Sequence, residues 1–304
     1  MKYFKPLIPY VIFLLILLGS NTFFEITLYN FLAQALLFFT IVCIPIWRTN
    51  RMSYVDIGWP LGLVLLSFLS FWFFDGNFIR SVICSGALLL VGLRMGVGAI
   101  NLWSKGHLKS EFPRYEYQRL IWKKENKTNV PLALQVDAIV QGMANASFLS
   151  IPIFIISTND NPDFHPLEII GLFIWLKSFI LESVADFQKL NFLLKMKRNG
   201  LKNKVCNVGL WKYSRHPNYF SEWMVWNGFI LASVPSYMAL RPSENLYIWV
   251  LLGIGLIFTS LIMYSTLVYK TGAVPSEYYS ALKRPDYKLY QTKTNRFFPG
   301  PIKK

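Results

Sequence analysis

Residues 209–222 read GLWKYSRHPNYFSE, and they lie where a densely basic loop runs into an apolar, aromatic-rich segment. Arg215, His216, Asn218, Tyr219 and Glu222 are costly groups to bring to a membrane boundary, because each needs a hydrogen-bond or charge partner once water is lost. Pro217 suits the first position of a helix, where its fixed φ is already helical and its missing N–H is no loss. A helix opening there sets Asn218 and Glu222 four residues apart on one face. The stretch reads as the polar head of a membrane helix, and it makes its surroundings helical.

The rest of the chain agrees. Of 304 residues, 54% are hydrophobic and 17% aromatic, with only 15% charged. A soluble domain carries about a quarter charged residues. Runs able to cross a bilayer need about 17–25 apolar residues. Eight candidates occur, near 5–20, 30–47, 57–74, 79–103, 131–157, 166–190, 218–240 and 246–269. The first is short enough to be confused with a signal peptide. It lacks a small-residue cleavage site and Asn21–Tyr29 continues as a bulky connector, so it is read as a span. The expected fold is all-α, a polytopic membrane helical bundle of about eight transmembrane helices.

The net charge of +15 would point to nucleic acid in a soluble protein, but its distribution excludes that partner here. Of the 31 Lys and Arg residues, 27 fall before span 1, after span 2, between spans 4 and 5, around the connection between spans 6 and 7, or in the tail from Lys270. The connectors 21–29, 75–78, 158–165 and 237–245 contain only Arg241. This alternation is the positive-inside pattern with both termini cytoplasmic. The ordinary work of such loops is topology and lipid headgroup contact, and some of them are available to a phosphorylated cofactor. Cys43, Cys84 and Cys206 have no metal or disulfide spacing and read as free thiols. His107, His165 and His216 are too scattered for zinc. No glycine-rich dinucleotide fingerprint or P-loop is present, and no internal repeat of the transporter kind is visible.

Polar residues recur at helical spacing inside the spans. Asp137, Gln141 and Asn145 form a ladder that suits inter-helix hydrogen bonding. Glu182, Asp186 and Arg94 are ionisable and read either as functional or as mutual ion pairs. The tail PSEYYSALKRPDYKLYQTKTNRFFPGP mixes aromatic and basic residues and is expected to fold against the membrane face, with Pro299 and Pro301 ending any helix.

GLWKYSRHPNYFSE resembles the C-terminal signature of the steroid 5-alpha-reductase superfamily, most closely its bacterial uncharacterised branch, and RPDYKLYQTKTNRFFP at 284–299 looks like that family's closing segment. The resemblance divides the chain into N-terminal helices at 1–130, loosely matched and on the substrate side, and a catalytic and cofactor domain at 131–304. It implies NADPH as cofactor and hydride delivery to the double bond of a hydrophobic enone, steroid-, sterol- or lipid-like, by a multi-pass monomer in the bacterial inner membrane. Position by position, Asn218 and Glu222 match the residues that hold the nicotinamide, Asp186 an acidic adenosine contact, and Lys197 or Arg198 a phosphate-binding cation. Tyr213, Arg215, His216 and Tyr219 belong to the same signature, and Tyr287 and Tyr290 are lining candidates. The family's last-span histidine has no counterpart, Tyr264 and Tyr269 being the nearest polar groups. For polarising the ketone the matching position is Asp56, with Tyr54 beside it; a plain interfacial role for Asp56 stands as the alternative.

A looser Arg-His-Pro-x-Tyr string also occurs in membrane methyltransferases that use S-adenosylmethionine. Arg215, His216, Tyr219 and Glu277 would suit that chemistry, although those enzymes usually place Gly where this chain has Ser221. A third reading is a non-enzymatic lipid-binding membrane protein, which requires the buried Asn, Glu and Arg groups to pair only with one another.

Overall fold

The computed structural model describes residues 2–303. Met1 and Lys304, the outer bounds of the two expected domains, lie outside the described residues. Among those described there is no strand, only an isolated parallel bridge between Ser214 and Asn295. Thirteen α-helices follow one another, beginning with Ile8–Leu18 (α1), Phe24–Phe38 (α2), Ile44–Thr49 (α3), Val55–Trp72 (α4) and Phe78–Ser104 (α5). Pro113–Lys124 (α6), Val130–Ala146 (α7), Ser150–Ser157 (α8) and Pro166–Arg198 (α9) come next. Pro217–Ala239 (α10), Leu246–Ser265 (α11), Ala273–Lys283 (α12) and Tyr287–Lys293 (α13) complete the series.

Helices stand at all eight expected places. Five of them are long and apolar enough to cross a bilayer: Phe24–Thr49, Met52–Trp72, Phe78–Ser104, Val130–Ser157 and Leu246–Lys283. Lys5–Leu18 is a shorter apolar helix. α9 carries Glu168, Lys177, Glu182 and Asp186 along its length, and α10 carries Asn218, Glu222 and Asn227, which dilutes their apolar character. Large apolar side chains such as Trp72, Leu36 and Ile257 face outward. An aqueous surface seldom exposes apolar area on this scale, and with five such helices the chain is an integral membrane protein. One boundary needs correcting: Phe24–Tyr29, expected in a connector, already belongs to α2. Ser20 Oγ accepts from Phe23 N at 3.0 Å just before it, and the turn is tied down there.

Two compact units make up the chain. Residues 1–169 and 230–259 form one, so residues 131–169 pack with the N-terminal helices instead of joining the segment that follows them. Its central helix is Val130–Ser157, 89% buried against 28% for the lipid-facing Phe24–Thr49. Asn145 ties this helix to α4 by donating to Trp59 O at 3.0 Å, while its own carbonyl accepts from Asn30 Nδ2 at 3.1 Å. At one loop of this unit Arg80 Nε donates to Glu168 Oε1 at 2.7 Å. The remaining guanidinium N–H groups reach Glu168 Oε2 and the carbonyls of Asn159, Asn161 and Asp163. All five donors are satisfied.

Residues 170–229 and 260–304 form the second unit, built from most of α9, the first half of α10, the end of α11, and α12 and α13. Two glycines shape it. Gly209 has φ +53°, and a Cβ there would lie 2.3 Å from Gln188 Oε1, the atom that accepts from Leu210 N. Gly272 turns so tightly after a π-helical stretch, Thr266–Lys270, that a Cβ would sit 1.9 Å from Leu267 O. That turn swings α12, with Glu277, away from the axis of α11. The tail ends in Phe297 and Phe298, whose rings pack edge-on against Phe220 and Trp223. Tyr264 joins the same aromatic cluster. As expected, the tail is folded.

Candidate functional site

α10 opens at Pro217, as its sequence dictates, and the residues just before it are pinned to the tail. Arg215 N donates to Asn295 O at 2.8 Å and Ser214 Oγ to Phe297 O at 2.8 Å. The Arg215 guanidinium then grips Glu277 of α12 with two bonds, Nε to Oε1 at 2.7 Å and Nη2 to Oε2 at 3.1 Å. Its Nη1 donates to the carbonyls of Gln291 and Thr294. Glu277 is the hub, accepting also from Gln291 Nε2 at 3.1 Å and Arg296 Nε at 3.2 Å. His216 Nε2 lies 3.2 Å from Glu277 Oε1, and the imidazole stacks flat on Tyr219 with centroids 5.3 Å apart. Burial pushes the His216 imidazole below its ordinary value, and Glu277 opposes that shift only in part.

This clamp forms one wall of a cavity of about 190 Å³. Asp186 and Lys189 of α9 line it, and so do Arg215, His216, Asn218 and Tyr219 around the head of α10. Tyr287 and Tyr290 come from the tail, Cys206 and Trp211 from the connecting loop. Asn218 Nδ2 donates to Asp186 Oδ1 at 3.0 Å, whereas its Oδ1 is buried and accepts no hydrogen bond. The first N–H groups of α10 have no partner within the helix, so the cavity meets the positive end of a helix dipole. Tyr290 Oη donates to Trp211 O, and Trp211 Nε1 to Ala185 O at 2.9 Å. Burial pushes both Tyr287 and Tyr290 up, which keeps these phenols protonated donors. A second cavity of about 220 Å³ shares Leu193, Lys204 and Arg284 with the first and adds Lys197 and Lys202.

Of the residues singled out from sequence, Asp186, Arg215, His216, Asn218, Tyr219, Tyr287 and Tyr290 converge on one cavity, and Lys197 lines its neighbour. Arg198 and Tyr213 are exposed and line neither, and Glu222 sits half-buried one turn along α10, outside both linings. Four of the five Arg215 N–H groups serve Glu277 and tail carbonyls, so its main work is to hold the tail. Asp56 and Tyr54 belong to the first unit. There Asp56 Oδ1 accepts from Tyr115 Oη at 2.7 Å and Oδ2 pairs with Arg114, while Tyr54 packs against an apolar cluster around Tyr115 and Trp122. Lys189, Cys206, Trp211 and Arg284 line the site without having been assigned to it. For Lys189 the signal was legible, since it stands three residues after Asp186 on the same helical face.

Comparison with known proteins adds a family without a function. The profile of a family described as "protein of unknown function (DUF1295)" matches residues 38–294. An uncharacterised protein of Schizosaccharomyces pombe is 27% identical over 146 residues, which are 43% of this chain and 38% of that protein. The chain thus spans about two fifths of the length of this curated relative. No solved structure matches.

Proposed function

The chain belongs to the DUF1295 family, and from that premise we propose a membrane-embedded reductase similar to the steroid 5-alpha-reductases, using NADPH to reduce the double bond of a hydrophobic enone. The observation that carries the reading is the buried Asn218 Oδ1, an acceptor without a donor, on a residue that lines a cavity at the head of α10 with Asp186 beside it. A carboxamide both donates and accepts, and an Asn oriented by a carboxylate offers it an unoccupied acceptor. The residues fit a dinucleotide in kind. A cavity of about 190 Å³ is smaller than the roughly 300–1,000 Å³ of pockets that hold a whole ligand. It takes one moiety, and the adjoining basic groove with Lys197, Lys202 and Lys204 supplies cations for phosphates. When bound, NADPH supplies the hydride; the protein's share is binding, orientation and exclusion of water.

The protein's own residues then have distinct tasks. Glu277 and Arg215 fix the tail over the site, His216 and Tyr219 form a flat wall, and Tyr287 stays a neutral phenol able to donate a hydrogen bond. For the ketone end, Asp56 with Tyr54 is the proposed polarising pair. Donation by Asp56 requires breaking its contact with Arg114 or Tyr115. The proposal includes eight spans with both termini cytoplasmic, in the cytoplasmic membrane of a bacterium. Reporter fusions at residue 160 and at the C terminus test it and are expected on opposite faces.

One observation favours the second reading. Glu277, which a methyltransferase would use together with Arg215 and His216, is bonded to both. Titration of the purified protein in detergent with NADPH and with S-adenosylmethionine separates the two. Saturable NADPH binding without comparable S-adenosylmethionine binding is expected, and the reverse would make the protein a methyltransferase.

A further inference from the structure

Lys189 is a charged group with no ion-pair partner at bonding distance among the described residues, in a place where charge is expensive. It lines the first cavity from α9, among Asp186, Cys206 and Trp211. No hydrogen bond or ion pair engages its ammonium among the described residues. Its one close contact is the face of Trp211, with Nζ 3.9 Å from the ring centroid. Trp211 is itself fixed at both ends, its Nε1 donating to Ala185 O and its carbonyl accepting from Tyr290 Oη. A cation over an aromatic face is held by the ring quadrupole without using up a hydrogen-bond acceptor, so N–H donors remain for a ligand. Trp211 of the GLWKYSRHP segment is therefore a platform on which an ammonium is held.

What faces this ammonium supports an anion. Asn218 and Tyr219 of the first turn of α10 line the same cavity, so the positive end of a 23-residue helix lies beside it. Two other cations nearby are engaged, Arg215 through most of its N–H groups and Arg284 through two of them. Arg215 is committed to Glu277, and Arg284 donates to Lys204 O at 3.1 Å and Ser280 Oγ at 3.0 Å. Lys189 and Lys204 both line the cavity with ammonium donors that no hydrogen bond or ion pair takes up among the described residues, and Lys189 is the one seated on the Trp211 face.

We propose that Lys189, seated on Trp211, binds a phosphoryl group inside this cavity. It thereby divides the work of the basic residues: Lys189 grips one phosphoryl group in the enclosed site, while Lys197 and Lys202 contact a more exposed part of an anionic ligand. The assignment rests on the reductase reading only for the identity of the ligand; the chemistry is equally that of an anionic lipid headgroup or of free pyrophosphate.

The test uses the full-length protein in detergent, with inorganic pyrophosphate, NADPH and a short-chain phosphatidylglycerol as three separate probes. Wild type is expected to bind pyrophosphate, and Lys189→Met, which keeps the stem and removes the charge, should lose about tenfold or more in affinity. Lys189→Arg should keep most of it. Melting temperatures report folding, and if Lys189→Met does not fold, Trp211→Leu serves in its place, since it removes the platform and leaves the charge. Equal affinity for pyrophosphate and NADPH in wild type and Lys189→Met, or no phosphoryl binding by wild type, overturns the assignment. Pyrophosphate binding that depends on Lys189 with no NADPH binding keeps it and overturns the reductase reading. NADPH binding that ignores Lys189 does the opposite. Phosphatidylglycerol binding that depends on Lys189, without NADPH binding, names the lipid as the ligand.

Discussion

Arg80–Glu168 and Arg215–Glu277 are both buried Arg–Glu pairs, and they do different things. Arg80–Glu168 lies in the first unit, with both side chains no more than 3% exposed, and every guanidinium N–H ends on the carboxylate or on a loop carbonyl. Arg215–Glu277 lies in the second, again buried, yet the polar groups around it are not all satisfied. Beside it stand Lys189, with no ion-pair partner at bonding distance among the described residues, and an Asn218 oxygen without a donor. A closed network stabilises a loop. A network that leaves donors and acceptors aimed into a cavity is shaped for something that is not part of the chain.

The largest test of this contrast removes each carboxylate. Glu168→Gln and Glu277→Gln each leave a buried arginine uncompensated, a loss of about 3–5 kcal/mol. Both should lower the melting temperature in detergent, and only Glu277→Gln should also abolish cofactor binding in the protein that remains folded. Loss of binding in both variants would erase the distinction between the two clamps. Next in size, Asn218→Ala should weaken NADPH binding by about 3- to 12-fold, the scale of one neutral hydrogen bond. An affinity within twofold of wild type would leave the Asn218 oxygen a packing defect.

A smaller effect comes from pH. Because burial holds the folded His216 pKa below its unfolded value of about 6.5, the unfolded chain binds the proton more readily. Stability is then full above about pH 6.5 and is lost as pH falls through the folded pKa. Melting temperatures measured from pH 8 to pH 5 should decline over the acid half, and His216→Gln should flatten that decline. An unchanged decline assigns it to other groups. The smallest effect belongs to Lys197→Ala combined with Arg198→Ala. Both side chains are exposed, so NADPH binding should weaken a few-fold at low salt and the difference should vanish as salt rises. A salt-independent loss would move these residues into the closed part of the site.

Much of this was legible before any tertiary contact was known. Apolar runs of bilayer length mark membrane helices because a backbone in lipid must bond to itself, and Pro217 suits the start of α10 because its fixed φ is helical and its missing N–H is no loss there. The i, i+3 spacing of Asp186 and Lys189 likewise fixes a shared face. Sequence also set the composition of the GLWKYSRHPNYFSE segment, and with it the demand that several polar groups find partners. Which partners they found was decided elsewhere. Glu277 lies 62 residues from Arg215, and only the packing of α12 against the residues before α10 brings the two together. Glu222 shares a helical face with Asn218 and still lines neither cavity, because a helix period says which residues point together and not what stands opposite them. The same limit hid the role of Trp211: its ring became a seat for Lys189 because α9 and the connecting loop fold against each other. Periodicity is local and can be read from the chain; the pairing of buried charges is a property of distant segments, and only packing decides it.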